Sequence, residues 1–290
     1  MKGIVLAGGH GSRLYPLTLS VSKQILPIYD KPMIFYPLSV LFLAEINEIA
    51  IITTPKDLLL YESLLGNGEL YGVKFTYIIQ DEPKGIAHSL IIAEEFIDND
   101  EVCLILGDNV FFGYNFTDLL IETKQSDFGA NIFTTLVSDP SEFAVAEVND
   151  LDDVVSIEEK PRNPKSNYAV TGLYFYDNNA VNIAKSIQPS ARGELEITSV
   201  NEEYLKLGML KARFLGRGFA WLDTGNHDSL LSAGEFVKTI EERQGLKIAC
   251  LEEIAYANGW ISIDQLNQSY QRCSNSNYGK YLKKLIDQHR

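Results

Sequence analysis

Cysteine and histidine are scarce in this chain of 290 residues, and their scarcity excludes two classes of protein. The three cysteines, Cys103, Cys250 and Cys273, are far apart and form no C-x-x-C pair. An odd number of widely spaced cysteines argues against a disulfide scaffold and indicates reduced thiols in a cytoplasmic protein. The four histidines have no zinc-ligand spacing, so we expect no zinc centre.

Long apolar runs and excess positive charge are also missing. No apolar run reaches the length of about 20 residues that crosses a bilayer, and the N-terminus lacks the features of a signal peptide. The formal net charge is −14, whereas a general nucleic-acid binder has a basic footprint. We therefore expect neither a membrane nor a nucleic acid as partner. A polyphosphate ligand would need local cations and a metal ion to offset the negative charge.

A glycine-rich loop after a short apolar run is the most informative stretch that is present. The four residues 4–7 predict a strand buried on both faces, and Gly8, Gly9 and Gly11 follow at once. Without Cβ atoms, such a loop lets backbone N–H groups approach an anion closely. Arg13 and Lys23 add positive charge nearby, so the stretch predicts a polyphosphate site.

The spacing of this loop distinguishes between known phosphate-binding patterns. The dinucleotide fingerprint G-x-G-x-x-G fails because Leu14 stands at its last position, which disfavours a dinucleotide-dependent oxidoreductase. A P-loop would need a Gly-Lys pair, which Arg13 and Leu14 do not supply. The pattern present is G-G-x-G-S-R-L over residues 8–14, then P-L-T over 16–18 and Lys23. It resembles the signature of sugar-nucleotide pyrophosphorylases.

Hydrophobic periodicity predicts an α/β fold with a Rossmann-like, mostly parallel sheet flanked by helices. In the first half, strands are predicted at 4–7, 49–53, 75–80 and 102–106, with helices at 33–45, 58–65 and 87–96. Closely spaced strands after residue 130 predict a mixed-sheet extension that binds the sugar. They lie at 130–136, 144–148, 154–157, 169–176 and 210–215, and helices are predicted at 178–186, 197–207, 230–243 and from 251 onward.

These elements suggest one catalytic domain followed by a smaller helical segment. We divide the chain into a nucleotidyltransferase domain at 1–245 and a helical C-terminal appendage at 246–290. The domain has a nucleotide half at about 1–128 and a sugar half at about 129–227. Ligands of such sheets bind beyond the carboxyl ends of the strands, where the glycine loop falls.

Two aspartates stand at the ends of apolar runs and are candidate metal ligands. Asp108 follows the run 104–106, and Asp223 follows the run 219–222. Mg²⁺ accepts a few carboxylates together with phosphate oxygens and water, so this pair suits a magnesium site. A simple turn at a strand end is the less favoured alternative for each aspartate taken alone.

Further polar residues follow other predicted strands. A glutamine at Gln80 can pair with the edge of a base, and Gly85 allows the base plane to lie against backbone. Glu159 can accept hydrogen bonds from sugar hydroxyls, Lys160 can pair with a sugar phosphate, and Arg192 precedes a helix N-terminus where anions bind. Each signal is weak alone, and a Glu-Lys-Pro sequence is commonly a solvated strand end.

Four long segments resemble glucose-1-phosphate thymidylyltransferases, and the resemblance runs from Met1 to about Leu266. The segments are 23–34, 166–174, 192–198 and 216–225. The resemblance implies dTTP and glucose 1-phosphate as substrates, a homotetramer and Mg²⁺ as cofactor. It also implies that the C-terminal helices form interfaces and a regulatory nucleotide site with feedback by a dTDP-sugar. The product would feed deoxysugar pathways such as that of dTDP-rhamnose.

The resemblance also implies a role for each matching residue. Arg13 and Lys23 would be catalytic, by stabilising charge on the phosphates. The triphosphate would be held by Gly8, Gly11, Ser12 and Arg13, the thymine by Gln80 and Gly85, the metal by Asp108 and Asp223, and the glucose phosphate by Glu159, Lys160 and Val170 with Arg192 nearby.

Three departures from the family pattern leave alternatives open. Ser12 replaces a threonine but keeps the hydroxyl, and the chain beyond Leu266 matches no usable pattern. Ala144 stands in Phe-Ala-Val-Ala-Glu, where the family usually has Tyr-Gly-Val-Val-Glu, so its methyl group can crowd the sugar. A nucleotidyltransferase using UTP or another hexose 1-phosphate therefore stays an alternative. A non-catalytic subunit that binds nucleotide sugars is a second one.

Overall fold

The computed structural model describes residues 1–9, 11–127, 129–149 and 153–289. The elements in chain order are β1 (Lys2–Leu6), β2 (Pro27–Ile28), β3 (Lys31–Pro32), α1 (Phe35–Leu43), β4 (Glu48–Thr53), α2 (Leu58–Leu65), β5 (Lys74–Ile79), α3 (His88–Ile92), α4 (Glu94–Ile97), β6 (Val102–Leu106), β7 (Asn109–Phe112), α5 (Phe116–Lys124), β8 (Ala130–Leu136), β9 (Ala144–Val148), β10 (Val154–Glu159), β11 (Tyr168–Tyr176), α6 (Ala180–Ser186), α7 (Ile197–Lys206), β12 (Leu210–Phe214), β13 (Ala220–Asp223), α8 (His227–Gln244), α9 (Leu251–Ala257), α10 (Ile263–Cys273) and α11 (Asn277–Gln288).

Within the described residues, nine strands form one mixed sheet. Its nucleotide half is parallel, because β1 lies between β4 and β6 and β5 adds beyond β4. Strand β11 then pairs antiparallel with β6, and β8 and β9 each pair with β11. Strand β10 pairs with β9, and β12 pairs with β8. The predicted α/β class, with a mainly parallel sheet and a mixed extension, is confirmed.

The first strand separates two hydrophobic cores, as its continuous apolar run predicts. Val5 packs into the core that contains Phe42 of α1, and Ile4 packs into the core on the other face. The first core also contains Leu251 of α9 and Leu282 of α11, both fully buried. The C-terminal helices therefore complete a core that begins with the first strand.

Three local features differ from the sequence-based expectations. The helix expected at 87–96 is two helices, α3 and α4, which are separated at Ala93. A hairpin of β2 and β3 follows the glycine loop, and β7 forms a separate ribbon with β13. Such two- to four-residue strands have no hydrophobic period long enough to detect. In the described part of the chain, no helix has both the length and the apolar character to cross a membrane.

Candidate active site

The glycine loop begins directly after β1 and is closed by a threonine. Gly11 has φ of 61°, in the left-handed region that favours glycine, and starts a 3₁₀ turn over Ser12–Leu14. A Cβ at Gly11 would lie 2.8 Å from the Thr18 Cγ2 atom. The Thr18 hydroxyl donates a hydrogen bond to the Gly11 carbonyl at 3.0 Å. Thr18 thus holds the loop closed, which explains the P-x-T part of the motif. His10 lies outside the described residues.

Lys23 connects this loop with the end of β6. Its ammonium group forms an ion pair with the Asp108 carboxylate, and its Cε atom would lie 3.8 Å from a Cβ at Gly9. Burial opposes the ionisation of Asp108, but the Lys23 charge and a 3.1 Å hydrogen bond from Asn109 hold the pKa of Asp108 below its usual value. Lys23 therefore sits between the backbone of the loop and a buried, charged carboxylate.

Asp223 is brought next to Asp108 by the short ribbon of β7 and β13. The ribbon pairs Asp223 with Asn109, and the Thr224 hydroxyl donates to the Asp108 carbonyl at 2.8 Å. Burial and the negative charge of Asp108 raise the pKa of Asp223 to about 6, although nearby cations oppose this shift. The two predicted metal ligands are thus close enough for the negative charge of Asp108 to raise the pKa of Asp223.

The donor set fits a divalent cation that completes its coordination with substrate. Carboxylate oxygens are ligands that hard cations prefer, and Asp108 and Asp223 supply them at the ends of two strands. Among the described residues, no group of three or more His, Cys, Asp or Glu side chains forms a metal cage. The remaining coordination positions would fall to phosphate oxygens and water, which is how Mg²⁺ is usually bound.

Asn109 and Trp221 fix the floor of the site, a function that the sequence did not reveal. The Asn109 side-chain oxygen accepts hydrogen bonds from the Trp221 indole at 2.6 Å and from the Gly172 backbone N–H at 3.1 Å. These bonds tie β7, β13 and β11 together beneath the carboxylates. The position of Asn109 after Gly-Asp at a strand end is a sequence signal for a site residue. Its hydrogen-bond partners, however, are far away in sequence.

Gln80 and Gly85 lie near Gly8, in the part of the cleft that Asp108 and Asp223 do not line. Gln80 directly follows β5, is only 4% exposed, and places its Oε1 atom 3.2 Å from where a Gly8 Cβ would be. Gly85 has φ of 101°, and a Cβ there would lie 2.3 Å from the Leu195 carbonyl oxygen. Glycine is thus required at position 85 by the close approach of the 192–196 segment, whether or not a base is bound.

Most of the predicted residues line two neighbouring parts of one cleft, whereas Gly11, Ser12 and Lys23 line neither part. The part that contains the residues predicted to bind the sugar, here called the sugar side, has a volume of about 230 Å³ and is lined by Arg13, Asp108, Ala144, Val170 and Asp223 among others. The nucleotide side has a volume of about 330 Å³ and is lined by Gly8, Gln80, Gly85 and Arg192 among others. Glu159 and Lys160 line both sides. The structure therefore brings the two halves of the predicted site together.

Glu159 and Lys160 lie at the boundary between the two sides, and Arg192 is bonded to Glu159 from the nucleotide side. Lys160 has φ of 45°, a conformation that is uncommon for non-glycine residues. Arg192 donates to Glu196 at 2.9 Å and to Glu159 at 3.3 Å, and it lines the nucleotide side. Its contact with the glucose phosphate stays a prediction, because these carboxylates already engage the guanidinium.

A glycine loop, cations and two carboxylates beyond the parallel half of a mixed α/β sheet form an arrangement that is typical of enzymes acting on nucleotides. The Nucleotidyl transferase family model matches residues 2–240. The chain belongs to this family and, within it, to the glucose-1-phosphate thymidylyltransferases. It is thus a nucleotidyltransferase, which removes the oxidoreductase alternative.

Individual relatives support this assignment along the whole chain. The glucose-1-phosphate thymidylyltransferase of Neisseria meningitidis serogroup A / serotype 4A is 54% identical over 286 residues, which cover 99% of each chain. That of Mycobacterium tuberculosis (strain ATCC 25618 / H37Rv) is 50% identical over 287 residues, again 99% of each chain. A Bacillus anthracis structure assigned to the same activity, in complex with sucrose, matches with a TM-score of 0.76 at 43% identity, over 81% of this chain and 94% of the other.

Proposed function

We propose that the protein transfers a thymidylyl group from dTTP to α-D-glucose 1-phosphate and so forms dTDP-glucose and pyrophosphate. The observation that carries the proposal is the cluster of Lys23, Asp108 and Asp223, in which Lys23 pairs with Asp108 and the two carboxylates line the sugar side of the cleft. Relatives with about half of their residues identical over nearly the full chain have this activity in their names.

The reaction requires positioning and charge neutralisation rather than a general base. An oxygen of the sugar phosphate is already an anion and can attack the α-phosphorus in line, while pyrophosphate leaves on the opposite side. Arg13 and Lys23 stabilise the charge that builds on the phosphates. Lys160, which lines both sides of the cleft, offsets the repulsion between two anionic substrates.

We propose Mg²⁺ as the cation that Asp108 and Asp223 hold. When bound, it would neutralise charge on the α-phosphate and the leaving group. Lys23 contributes to both the metal site and the phosphate site, because its ammonium balances the Asp108 charge and its side chain lies beside the glycine loop. The Gly8–Arg13 loop would hold the triphosphate, and Gln80 would pair with the thymine edge.

A specific observation keeps the choice of sugar open as a second candidate. Ala144 lines the sugar side of the cleft, so its methyl group occupies space next to the substrate. Another hexose 1-phosphate, or UTP in place of dTTP, would need the same metal and lysine chemistry. The alternatives therefore differ in specificity rather than in mechanism.

Pyrophosphate release tests the proposal and its alternatives together. We would combine dTTP or UTP with glucose 1-phosphate or galactose 1-phosphate in the presence of Mg²⁺. We expect the fastest release with dTTP and glucose 1-phosphate, loss of release with EDTA, and no turnover by a folded Asp108→Asn variant. A preference for another pair would overturn the assigned substrates. Normal turnover by the variant would overturn the metal site.

We also propose the homotetramer, the feedback by a dTDP-sugar and the cytoplasmic location that the sequence suggests. A cavity of about 270 Å³ supports a regulatory site, because Asn115, Lys247 and Glu253 line it where the C-terminal segment meets β7 and the start of α5. All three cysteines are free thiols, as a reducing compartment would require. Light scattering of the purified protein and inhibition assays with dTDP-sugars would test the first two points.

A further inference from the structure

The side chain of Gln80 is held by a histidine that no step so far uses. The Gln80 Nε2 atom lies 3.1 Å from the His88 Nδ1 atom. The Gln80 Oε1 atom lies over Gly8 on the nucleotide side of the cleft, with no hydrogen-bond partner among the described residues. One end of the amide is therefore anchored, and the other end is available to a ligand.

The chemistry of the two groups fixes the direction of this hydrogen bond. An amide nitrogen has hydrogens to donate but no lone pair to accept with, so His88 Nδ1 must be the acceptor. The imidazole is therefore neutral and carries its proton on Nε2. If the amide rotated by 180°, its oxygen would face the Nδ1 lone pair of this tautomer, which is repulsive, and only transfer of the ring proton to Nδ1 would make that orientation favourable. With its proton on Nε2, the His88 ring thus selects one of two otherwise similar orientations of Gln80.

We propose that His88 is a positioning residue that keeps the Gln80 carbonyl oxygen toward the base and thereby selects bases with an N3–H group. This inference rests on the proposed function, in which Gln80 reads the thymine edge. Thymine and uracil present an N3–H donor beside a carbonyl acceptor, and the fixed amide offers the matching acceptor and a second N–H donor. Cytosine presents the reverse pattern and would meet acceptor with acceptor and donor with donor.

The surroundings of His88 keep the ring neutral and in place. Burial, followed by the positive charge of Lys84, lowers the pKa of His88, so the ring can accept at neutral pH. His88 is the first residue of α3, and the start of this helix is anchored because the Ala87 N–H donates to the Leu195 carbonyl at 3.0 Å. The neighbouring Ser89 hydroxyl donates to the Ile86 carbonyl at 2.5 Å. The ring therefore approaches Gln80 from a fixed backbone.

Steady-state kinetics of His88→Leu with dTTP and dCTP test the proposal. We expect KM for dTTP to rise about tenfold with kcat within about twofold, which is the effect of losing one hydrogen-bond constraint on binding. The ratio of kcat/KM for dTTP over dCTP should fall by about tenfold or more. His88→Gln, whose side-chain oxygen can accept from Gln80, should restore most of the ratio. A purely structural role would not change this ratio or be rescued in this way.

Controls separate this proposal from the proposed function. His289→Leu is the matched substitution outside the cleft and should leave the ratio unchanged. Gln80→Ala should weaken dTTP binding at least as much as His88→Leu. If Gln80→Ala impairs dTTP use but His88→Leu leaves KM and the ratio unchanged, the positioning role is wrong and the proposed function survives. If Gln80→Ala has no effect on dTTP, the thymine assignment itself fails. Thermal denaturation of each variant identifies any loss of fold.

Discussion

At the scale of single residues, the Asp223 carboxylate lowers the folding stability of the metal-free protein, although it is a predicted ligand of the metal. The pKa of its carboxyl is raised from 3.8 to about 6, first by burial and then by Asp108. The folded state thus holds the proton more tightly than the unfolded state, so this group's contribution to stability falls as pH rises through 4 to 6. Above pH 6, the ionised carboxylate destabilises the metal-free protein.

We therefore expect Asp223→Asn to be more stable than the wild type in EDTA at pH 8, by about 1 kcal/mol after allowing for partial solvent screening. The advantage should shrink as pH is lowered through 6 toward 4, because the wild-type carboxyl then becomes neutral. Urea denaturation of both proteins at several pH values measures this difference. A wild type that is as stable as the variant at pH 8 would contradict the buried-repulsion account. The variant should nevertheless be inactive with Mg²⁺.

At the scale of elements, an ion cluster around the buried residues Lys31 and Glu241 joins the hairpin of β2 and β3 to the end of α8. The Lys31 ammonium lies 3.1 Å from Glu241 and also pairs with Asp30, while Lys247 contacts both carboxylates. Glu241 additionally accepts a hydrogen bond from the Ile248 N–H at 3.0 Å. Because Lys31 is only 3% and Glu241 only 5% exposed, neither charge has water as an alternative partner.

Replacing Glu241 by Gln should thus destabilise the protein by about 3 kcal/mol, since it leaves an excess positive charge in a buried cluster. Glutamine keeps the volume and the acceptor for Ile248, so the charge is the main change. The double variant Lys31→Met/Glu241→Gln restores the balance and should recover part of the loss. Chemical denaturation of the three proteins provides the measurement. A loss below about 1 kcal/mol in the single variant would show that water or rearrangement compensates the charge.

The sequence predicts some of these elements and not others. Strands such as β1 and β4 are predictable because they are continuous apolar runs between glycines and polar turns. The ribbon of β7 and β13 does not, because its strands of four residues pair across more than a hundred positions of sequence. The proximity of Gln80 and His88 was easier to predict, because a helix beginning just after Gly85 places His88 in its first turn. What the sequence lacked was the direction of each side chain.

At the scale of the whole molecule, the charge distribution is uneven in a way that serves the reaction. The net charge of −14 would repel a triphosphate, yet Arg13, Lys23, Lys160 and Arg192 lie in or beside one cleft. The overall sign therefore disfavours nucleic acid at long range, and the local cations provide for small anionic substrates. Composition predicted the first effect, while the glycine-loop motif and the strand-end lysine predicted the second.

The boundary between the catalytic domain and the C-terminal appendage can be tested by truncation. Although the sequence suggests that residues 246–290 are an addition, Leu251, Leu282 and Ile286 are fully buried in the core that contains Val5 and Phe42. Removing the segment would expose these partners, and each large apolar side chain contributes about 1.5–3 kcal/mol when buried. Several such losses are comparable to the usual margin of stability of about 5–15 kcal/mol.

We accordingly expect a chain ending at Gln244 to be unable to fold, as judged by loss of the cooperative thermal transition and of protection from proteolysis. A chain that lacks only α11, ending at Ser276, should be weakened less, since Leu251 and its neighbours on α9 remain. If the short chain unfolds cooperatively and retains pyrophosphate release, the appendage is a separable unit. Failure to fold would mean that any ligand bound among the C-terminal helices acts on the same core that supports the glycine loop. Regulation through that segment would then need no further connecting element.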